Sequence, residues 1–460
     1  MIKVFLLVSE TLNITLVLKN IYFFNTKKII VYTSYFQTKP NRCRRYLPKT
    51  QTSHATNSYF IKFVLRQPLS FKSHRPRFLK NSTQPTKFIT MNTHQHSLDR
   101  VQELKNFDDA KLGVKGLVDS GITAIPRFFI HPPETLSDLK RPETGARPES
   151  NIIPTIDLGG VESELRSTIV EKIGRASREL GFFQVVNHGI DVEVLERLIG
   201  GIKAFHEQPT EVKARVYRRE MKTGVSFFSN VDLFQSKAAS WRDTLQVRLG
   251  PTLPELDEIP EICRKEVVEW NEHVKQLGEL LMGLLCEGLG VEIGRLKEMT
   301  FLEGRVMVAH YYPYCPQPDL TVGITSHTDP GALTILLQDQ VGGLQVKYGE
   351  EWVDVKPVPG ALVINIGDIL QILSNDEYRS VEHRVFANPS QEPRISVAVF
   401  FNPGDKDCLC GPFPELISPE KPAVFRPFTY MDYIRRFFTK ELDGKSLVNY
   451  YRLSGTEKTE

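Results

Sequence analysis

Three residues in the C-terminal half have the types and spacing to hold one metal ion. His327 and Asp329 stand in the triplet His-Thr-Asp, and His383 follows 54 positions after the aspartate. A strand turns residues i and i+2 to the same face, so His327 and Asp329 can reach a common point. Two neutral imidazoles and one carboxylate leave the other coordination positions open, the set used by non-haem Fe(II) oxygenases. Zinc accepts the same donors, and with 11 histidines in the chain a lone His-x-Asp is weak. A fourth element strengthens it. Arg394-Ile-Ser396 begins eleven residues after His383, and its arginine and serine share a strand face. A guanidinium buried there requires an anion, and the far carboxylate of a dicarboxylic acid fits its fork. A salt bridge at the rim is the plainer reading of Arg394 taken alone.

The elements that must position these groups are legible in outline. Leu165, Ile169, Ile173, Ala176 and Leu180 recur at a helical period that Gly181 ends. The run from Phe182 to Val186 reads as a strand, as do residues 151–160 before a turn. A second helix carries Leu195, Leu198, Ile199, Ile202 and Phe205 on one face. A third carries Val267, Trp270, Val274, Leu277, Leu281 and Leu284 at steps of three and four, the stripe of a packed scaffold helix. After Gly304 the texture changes to short strands, expected at 305–312, 321–326, 333–338, 344–347, 352–355, 361–366, 369–373, 380–387 and 394–401. Gly, Pro, Asn and Asp turn signals separate most of them, which argues for a sandwich or jelly roll rather than a βαβ sheet. A helix near 429–442 closes the chain.

Composition adds bounds. The 460 residues are 41% hydrophobic and 25% charged, enough for a sizeable core. The net charge of +3 conceals an uneven distribution: residues 1–90 hold 16 Lys or Arg and one acid, Glu10, leaving 42 basic and 54 acidic residues beyond. That acidic body disfavours nucleic acid as a partner. The basic head has no sustained period, and its best apolar stretch, Val4 to Leu18, is too short to span a bilayer. It reads as an organellar transit peptide or as sequence upstream of a true start at Met91. The sequons at Asn13 and Asn81 lie in this head and carry no functional weight. Cys43, Cys263, Cys286, Cys315, Cys408 and Cys410 show no framework spacing, as in a reducing compartment, and Cys408-Leu-Cys410 reads as a loop rather than a metal knuckle.

Over roughly residues 100–450 the sequence resembles the plant 2-oxoglutarate/Fe(II)-dependent dioxygenases. The motifs that carry this are Ile153-Pro-Thr-Ile-Asp157, Gly181-Phe-Phe-Gln-Val-Val-Asn-His-Gly189, Trp241-Arg-Asp-Thr244, Tyr311-Tyr-Pro-Tyr-Cys-Pro316, His-Thr-Asp and Arg-Ile-Ser, all in order. The segment 107–122 is similar to the branch of 1-aminocyclopropane-1-carboxylate oxidase homologues, near deacetoxyvindoline 4-hydroxylase-like enzymes. The resemblance implies an α+β fold with a double-stranded β-helix (jelly-roll) core, an N-terminal helical and β region and a C-terminal covering helix. It divides the chain into a head (1–90), an N-terminal region (91–260), a scaffold helix (261–300), the jelly roll (301–405) and a helical cover (406–460). It further implies iron on His327, Asp329 and His383, and 2-oxoglutarate on Arg394, Ser396 and Tyr312. The reaction implied is oxidation of a small specialised metabolite by O₂, usually hydroxylation, with succinate and CO₂ as co-products. Two positions depart from the wider pattern: His310 stands where Asn is frequent, and Tyr314 where a second proline is usual. His310 is either a fourth polar group near the metal or a supporting residue behind it. Phe227, Phe228, Phe234 and Phe401 are candidates for the substrate side, with core packing the alternative for each.

Two rivals remain at this level. One is a true 1-aminocyclopropane-1-carboxylate oxidase, which uses ascorbate; ascorbate also stays open as an auxiliary reductant. The other is a silent metal-bound small-molecule binder, which would be expected to lose one of the site residues. A monomer without nucleic-acid or membrane partners is expected, cytoplasmic if translation starts at Met91 and organellar if the head is a transit peptide.

Overall fold

A computed structural model describes residues 92–139, 152–219, 224–439 and 446–453; the head, with its sequons and Cys43, lies outside them. Twelve strands carry the architecture. They are β1 (Thr155–Asp157), β2 (Phe182–Val186), β3 (Val225–Phe228), β4 (Asp243–Arg248), β5 (Gly304–Tyr312) and β6 (Val322–His327), then β7 (Leu333–Gln338), β8 (Leu344–Tyr348), β9 (Glu351–Asp354), β10 (Leu362–Ile366), β11 (His383–Phe386) and β12 (Arg394–Asn402). An eight-stranded sheet runs β1-β2-β10-β7-β12-β5-β4-β3, and a four-stranded sheet runs β6-β11-β8-β9. From β5 to β12 the chain alternates between the sheets, with only the β8–β9 hairpin staying on one side. That is the double-stranded β-helix, and the fold is α+β. β1 and β2 pair in parallel across the helix Arg166–Glu179.

Alternation along β12 shows why this sequence makes a two-faced wall. Ile395, Val397, Val399 and Phe401 are buried in one large apolar cluster with Trp270, Val274, Leu277 and Leu281 of the helix Glu261–Leu289. Phe401 lies so close to that helix that a Cβ on Gly278 would sit 2.4 Å from its ring, so only glycine fits there. Arg394, Ser396, Ala398 and Phe400 face the other way, between the two sheets. The scaffold helix ends at Gly290, whose φ of 73° is the left-handed stop that glycine adopts without strain. Each fully buried Leu or Val of its stripe contributes about 1.5–3 kcal/mol.

Three expectations are corrected. Residues 369–373 form part of a short helix, Asp368–Leu373, not a strand. All six of its residues are buried, so the run lacks the alternation that separates strand from helix. Leu165 caps the helix Arg166–Glu179 from outside and is exposed rather than part of its buried face. The closing helix is the shorter Tyr430–Phe437, and a second one, Ser446–Tyr451, follows. The helices Asn92–Ala110 and Gly113–Asp119 and strands β3 and β4 had no counterpart in the sequence reading. Among the described residues, no helix is long and apolar enough to cross a membrane.

Candidate metal centre

The register of two strands brings the histidines together. In the antiparallel pair of β6 and β11, His327 and His383 are direct partners, so their side chains leave the sheet side by side. The ring centroids are 4.2 Å apart. Each ring is fixed in the same way: His327 Nδ1 lies 2.8 Å from the Thr325 carbonyl and His383 Nδ1 lies 3.2 Å from the Val381 carbonyl. A carbonyl can only accept, so Nδ1 carries the proton in both rings and the Nε2 lone pairs point away from the backbone.

Asp329 is not in the strand; it lies two residues past the end of β6, in the connection to β7. Its Oδ2 accepts hydrogen bonds from Thr334 Oγ1 at 2.6 Å and Asn365 Nδ2 at 2.8 Å. That leaves Oδ1, which is 3.7 Å from His327 Nε2 and 3.5 Å from His383 Nε2. Burial and the neighbouring His383 lower His327 to about 3, which makes it a neutral donor near pH 7. Burial pushes Asp329 upward, but the two imidazoles and its two hydrogen bonds outweigh this and hold it below the usual carboxylate range. Among the described residues this is the one cluster of three such groups with ligand atoms mutually within 4.8 Å. Among the described residues no fourth His, Cys, Asp or Glu joins it, as a structural zinc site would require. Cys408 and Cys410 join no such cluster; the thiol of Cys410 contacts the Cys408 carbonyl.

A second polar group sits further along the same inner wall. Arg394 is 2% exposed, with Nη1 donating to Ser396 Oγ and Nη2 to Gln338 Oε1, both at 3.0 Å. Its Nε has no partner, nor has Gln338 Nε2. No carboxylate among the described residues pairs with this guanidinium. Asp339, whose charge it feels, accepts the backbone N–H groups of Val341 and Ile395 instead. The Arg394 guanidinium lies 4.9 Å from the centre of the buried Tyr312 ring.

Register turns these contacts into a map, because directly opposed residues share a face. One row joins Arg394 to Tyr312; the next runs Gln338, Ser396, His310, Thr244, Phe228. Then come Leu336, Ala398, Val308, Gln246 and, nearest Asp329, Asn365, Thr334, Phe400, Val306. His310 is a supporting residue rather than a member of the three-donor cluster. Its Nδ1 is 3.0 Å from Thr244 Oγ1, and its ring packs edge-to-face on Tyr312. Burial, with the Arg242 and Arg394 guanidiniums, holds its pKa well below the ordinary imidazole value. The carbonyl of Tyr314 accepts from Trp241 Nε1.

The four phenylalanine candidates separate. Phe228 faces inward, Phe227 and Phe401 pack in the outer core, and Phe234 is exposed beneath Arg219. The inward aromatic of β12 is Phe400, one residue from the expected position, and a shift of one flips the face. Its position followed from Arg394 and Ser396 by counting in twos. Thr334, Asn365 and Gln338, which hold Asp329 and Arg394, carry no sequence signal of their own.

Comparison with known proteins agrees with this geometry. Residues 303–403 match the model of the 2OG-Fe(II) oxygenase superfamily, and residues 153–266 match the N-terminal model of the non-haem dioxygenases in morphine synthesis. The 1-aminocyclopropane-1-carboxylate oxidase homolog 4 of Arabidopsis thaliana is 49% identical over 77% of this chain and 99% of its own. Deacetoxyvindoline 4-hydroxylase of Catharanthus roseus is 44% identical over 84% of this chain and 98% of its own. The crystal structure of JOX2 in complex with 2OG, Fe and JA superposes with a TM-score of 0.66 at 33% identity, covering 74% of this chain and 98% of that one.

The jelly roll and its inward donors define a non-haem iron oxygenase. The chain belongs to the plant 2-oxoglutarate/Fe(II)-dependent dioxygenases, in the branch of the 1-aminocyclopropane-1-carboxylate oxidase homologues. It is an enzyme that uses Fe(II), 2-oxoglutarate and O₂ to oxidise a small molecule.

Proposed function

We propose that His327 Nε2, Asp329 Oδ1 and His383 Nε2 hold the iron, and that Arg394, with Ser396 and Tyr312, binds the distal carboxylate of 2-oxoglutarate. The observation that carries this is Arg394: a fully buried guanidinium with an unpartnered Nε and, among the described residues, no carboxylate paired to it. What distinguishes it from the other buried guanidiniums is its place on the inner wall beside Ser396, where a carboxylate would complete its hydrogen bonding. Iron with 2-oxoglutarate supplies the activation of O₂; the protein orients both and keeps water out. The overall reaction converts substrate, 2-oxoglutarate and O₂ into hydroxylated product, succinate and CO₂.

The substrate is a small specialised metabolite, and it rests on the inner wall beside Asp329. There Val306, Val308, Leu336 and Phe400 are half-buried, with Ala398 among them and Gln246 at the edge. Such a surface receives an apolar ring or chain and fixes it at few polar points. The division at 91–260, 261–300, 301–405 and 406–460 is retained, as is a monomer acting without nucleic acid or membrane. The compartment is the cytoplasm if Met91 is the start, and an organelle if the head is a transit peptide.

The test is anaerobic addition of Fe(II) and then 2-oxoglutarate, following the visible charge-transfer band of the chelate. The band should weaken in Arg394→Ala and vanish in His327→Ala. Iron binding with no band in the wild type would sink the assignment and leave the ascorbate-type oxidase or the silent binder.

A further inference from the structure

Asp368 opens the helix Asp368–Leu373, is buried, and has no part in the chemistry described so far. Its carboxylate accepts from three hydroxyls that come from three separate parts of the chain. Thr328 Oγ1 reaches Oδ2 at 3.1 Å, Tyr433 OH reaches Oδ2 at 2.7 Å, and Ser380 Oγ reaches Oδ1 at 2.6 Å. The backbone N–H of Asp368 donates to the Asp329 carbonyl at 2.8 Å.

The origin of these partners is what matters. Thr328 is the residue between His327 and Asp329. Ser380 directly precedes Val381, whose carbonyl fixes the His383 ring. Tyr433 belongs to the C-terminal helix Tyr430–Phe437. The approach is tight as well: a Cβ on Gly367 would lie 2.2 Å from the Gly331 carbonyl, which pins the start of this helix against the segment after Asp329. One buried carboxylate therefore ties together the two segments that present the three donors, and docks the C-terminal helix onto both.

The geometry points to Asp368 as a positioning residue of the metal centre, with Thr328, Ser380 and Tyr433 as the arms through which it acts. This rests on the reading that His327, Asp329 and His383 bind the metal. It assigns a role to the middle residue of His-Thr-Asp: its hydroxyl orients the loop, not the ion. It also makes the C-terminal cover part of the site's rigidity, through a phenol that touches no donor directly. Outer partners of this kind typically change metal affinity 10- to 100-fold when removed.

Co(II) is the probe, because its visible absorption reports coordination geometry without turnover. Full-length wild type, Asp368→Asn, Thr328→Val, Thr328→Ser, Tyr433→Phe and His383→Ala are titrated, and each metal-free melting temperature is recorded. Thr328→Val and Asp368→Asn should raise the Co(II) Kd about tenfold or more and shift the absorption. Tyr433→Phe should move both in the same direction by a smaller factor, and Thr328→Ser should restore wild-type behaviour. Variants that melt lower yet keep the wild-type Kd and spectrum would overturn the proposal and leave an ordinary core network. If Asp368→Asn does not fold, Tyr433→Phe and Thr328→Val decide, each losing a single hydroxyl. A wild type that binds no Co(II), or binds it equally well after His383→Ala, would instead overturn the metal reading on which the proposal rests.

Discussion

Replacing Arg394 by alanine isolates the proposed cosubstrate anchor. The guanidinium is fully buried, and its present partners, Ser396 Oγ and Gln338 Oε1, are neutral. A carboxylate arriving there gains charge-assisted hydrogen bonds, and its removal from water is compensated by that one cation. Deleting the cation leaves the anion buried and unpaired, which costs about 2–5 kcal/mol. At about 1.4 kcal/mol per factor of ten, the KM for 2-oxoglutarate should rise roughly 30- to 4,000-fold. Because the contact is the same before and during reaction, kcat at saturating cosubstrate should fall little. Lysine keeps the charge but loses the planar fork, so Arg394→Lys should fall between, near tenfold. The assay is succinate formation against 2-oxoglutarate concentration, repeated with a 2-oxo acid that lacks the distal carboxylate. For that analogue the alanine variant should lose nothing relative to wild type. A folded Arg394→Ala enzyme with an unchanged KM for 2-oxoglutarate would refute the reasoning.

The two neighbouring phenylalanines of β12 should behave oppositely. Phe401→Ala opens a cavity against the scaffold helix and should cost about 3–5 kcal/mol in urea unfolding, whereas Phe400→Ala should leave stability nearly intact and raise the substrate KM. Equal destabilisation by both would contradict the face assignment. His206 is fully buried, and burial, reinforced by Lys213, outweighs a contact with the Ala309 backbone and holds its pKa well below the ordinary value. A folded pKa below the unfolded one means that the unfolded chain takes up the proton first, so stability falls as pH drops below about 6.5. His206→Phe should remove about 1 kcal/mol of the difference in unfolding free energy between pH 7.5 and 5.5, and an unaltered difference would show that His206 is not held neutral. Metal removal should lower the melting temperature of wild type, since saturation at 100 times Kd adds about 2.7 kcal/mol. The same treatment should leave Asp329→Ala unmoved.

Much of the site was legible because strands count in twos. Arg394 with Ser396 announces a shared direction, and the scaffold stripe from Val267 to Leu284 is a clean helical period; the same counting paired His327 with Asp329, although Asp329 lies past the end of β6 and reaches its neighbour from a loop. What was hidden follows from two physical causes. Residues 369–373 are buried all round, so no periodicity separates strand from helix there. Thr334, Asn365 and Gln338 are single polar residues in apolar strands, and their importance comes from what lies across the sheet. Register, which sequence spacing does not specify between strands 56 residues apart, makes His327 and His383 partners. The same register separates Phe400 from Phe401 by function, although the two are chemically identical.

Charge explains how such a site exists before its ligands arrive. The inner wall buries the carboxylate of Asp329 and the guanidinium of Arg394, with that of Arg242 close by, and pairs the carboxylate to neither. Each is tolerated because neutral groups solvate it: Thr334 and Asn365 donate to Asp329, while Ser396 and Gln338 accept from Arg394. These are partial substitutes, as the unpartnered Nε of Arg394 shows. In the proposed arrangement a divalent ion beside Asp329 would leave one net positive charge there, and a dianion spanning from it to Arg394 would bring the sum over Asp329, the ion and Arg394 to zero. Without the metal, the same dianion would place its reactive end against the Asp329 carboxylate, at short range and in low dielectric. On the proposed assignment the wall would favour metal before cosubstrate, through charges already fixed on β12 and the loop after β6. His310, kept neutral between the Arg242 and Arg394 guanidiniums, adds polarity to that wall without adding to the sum.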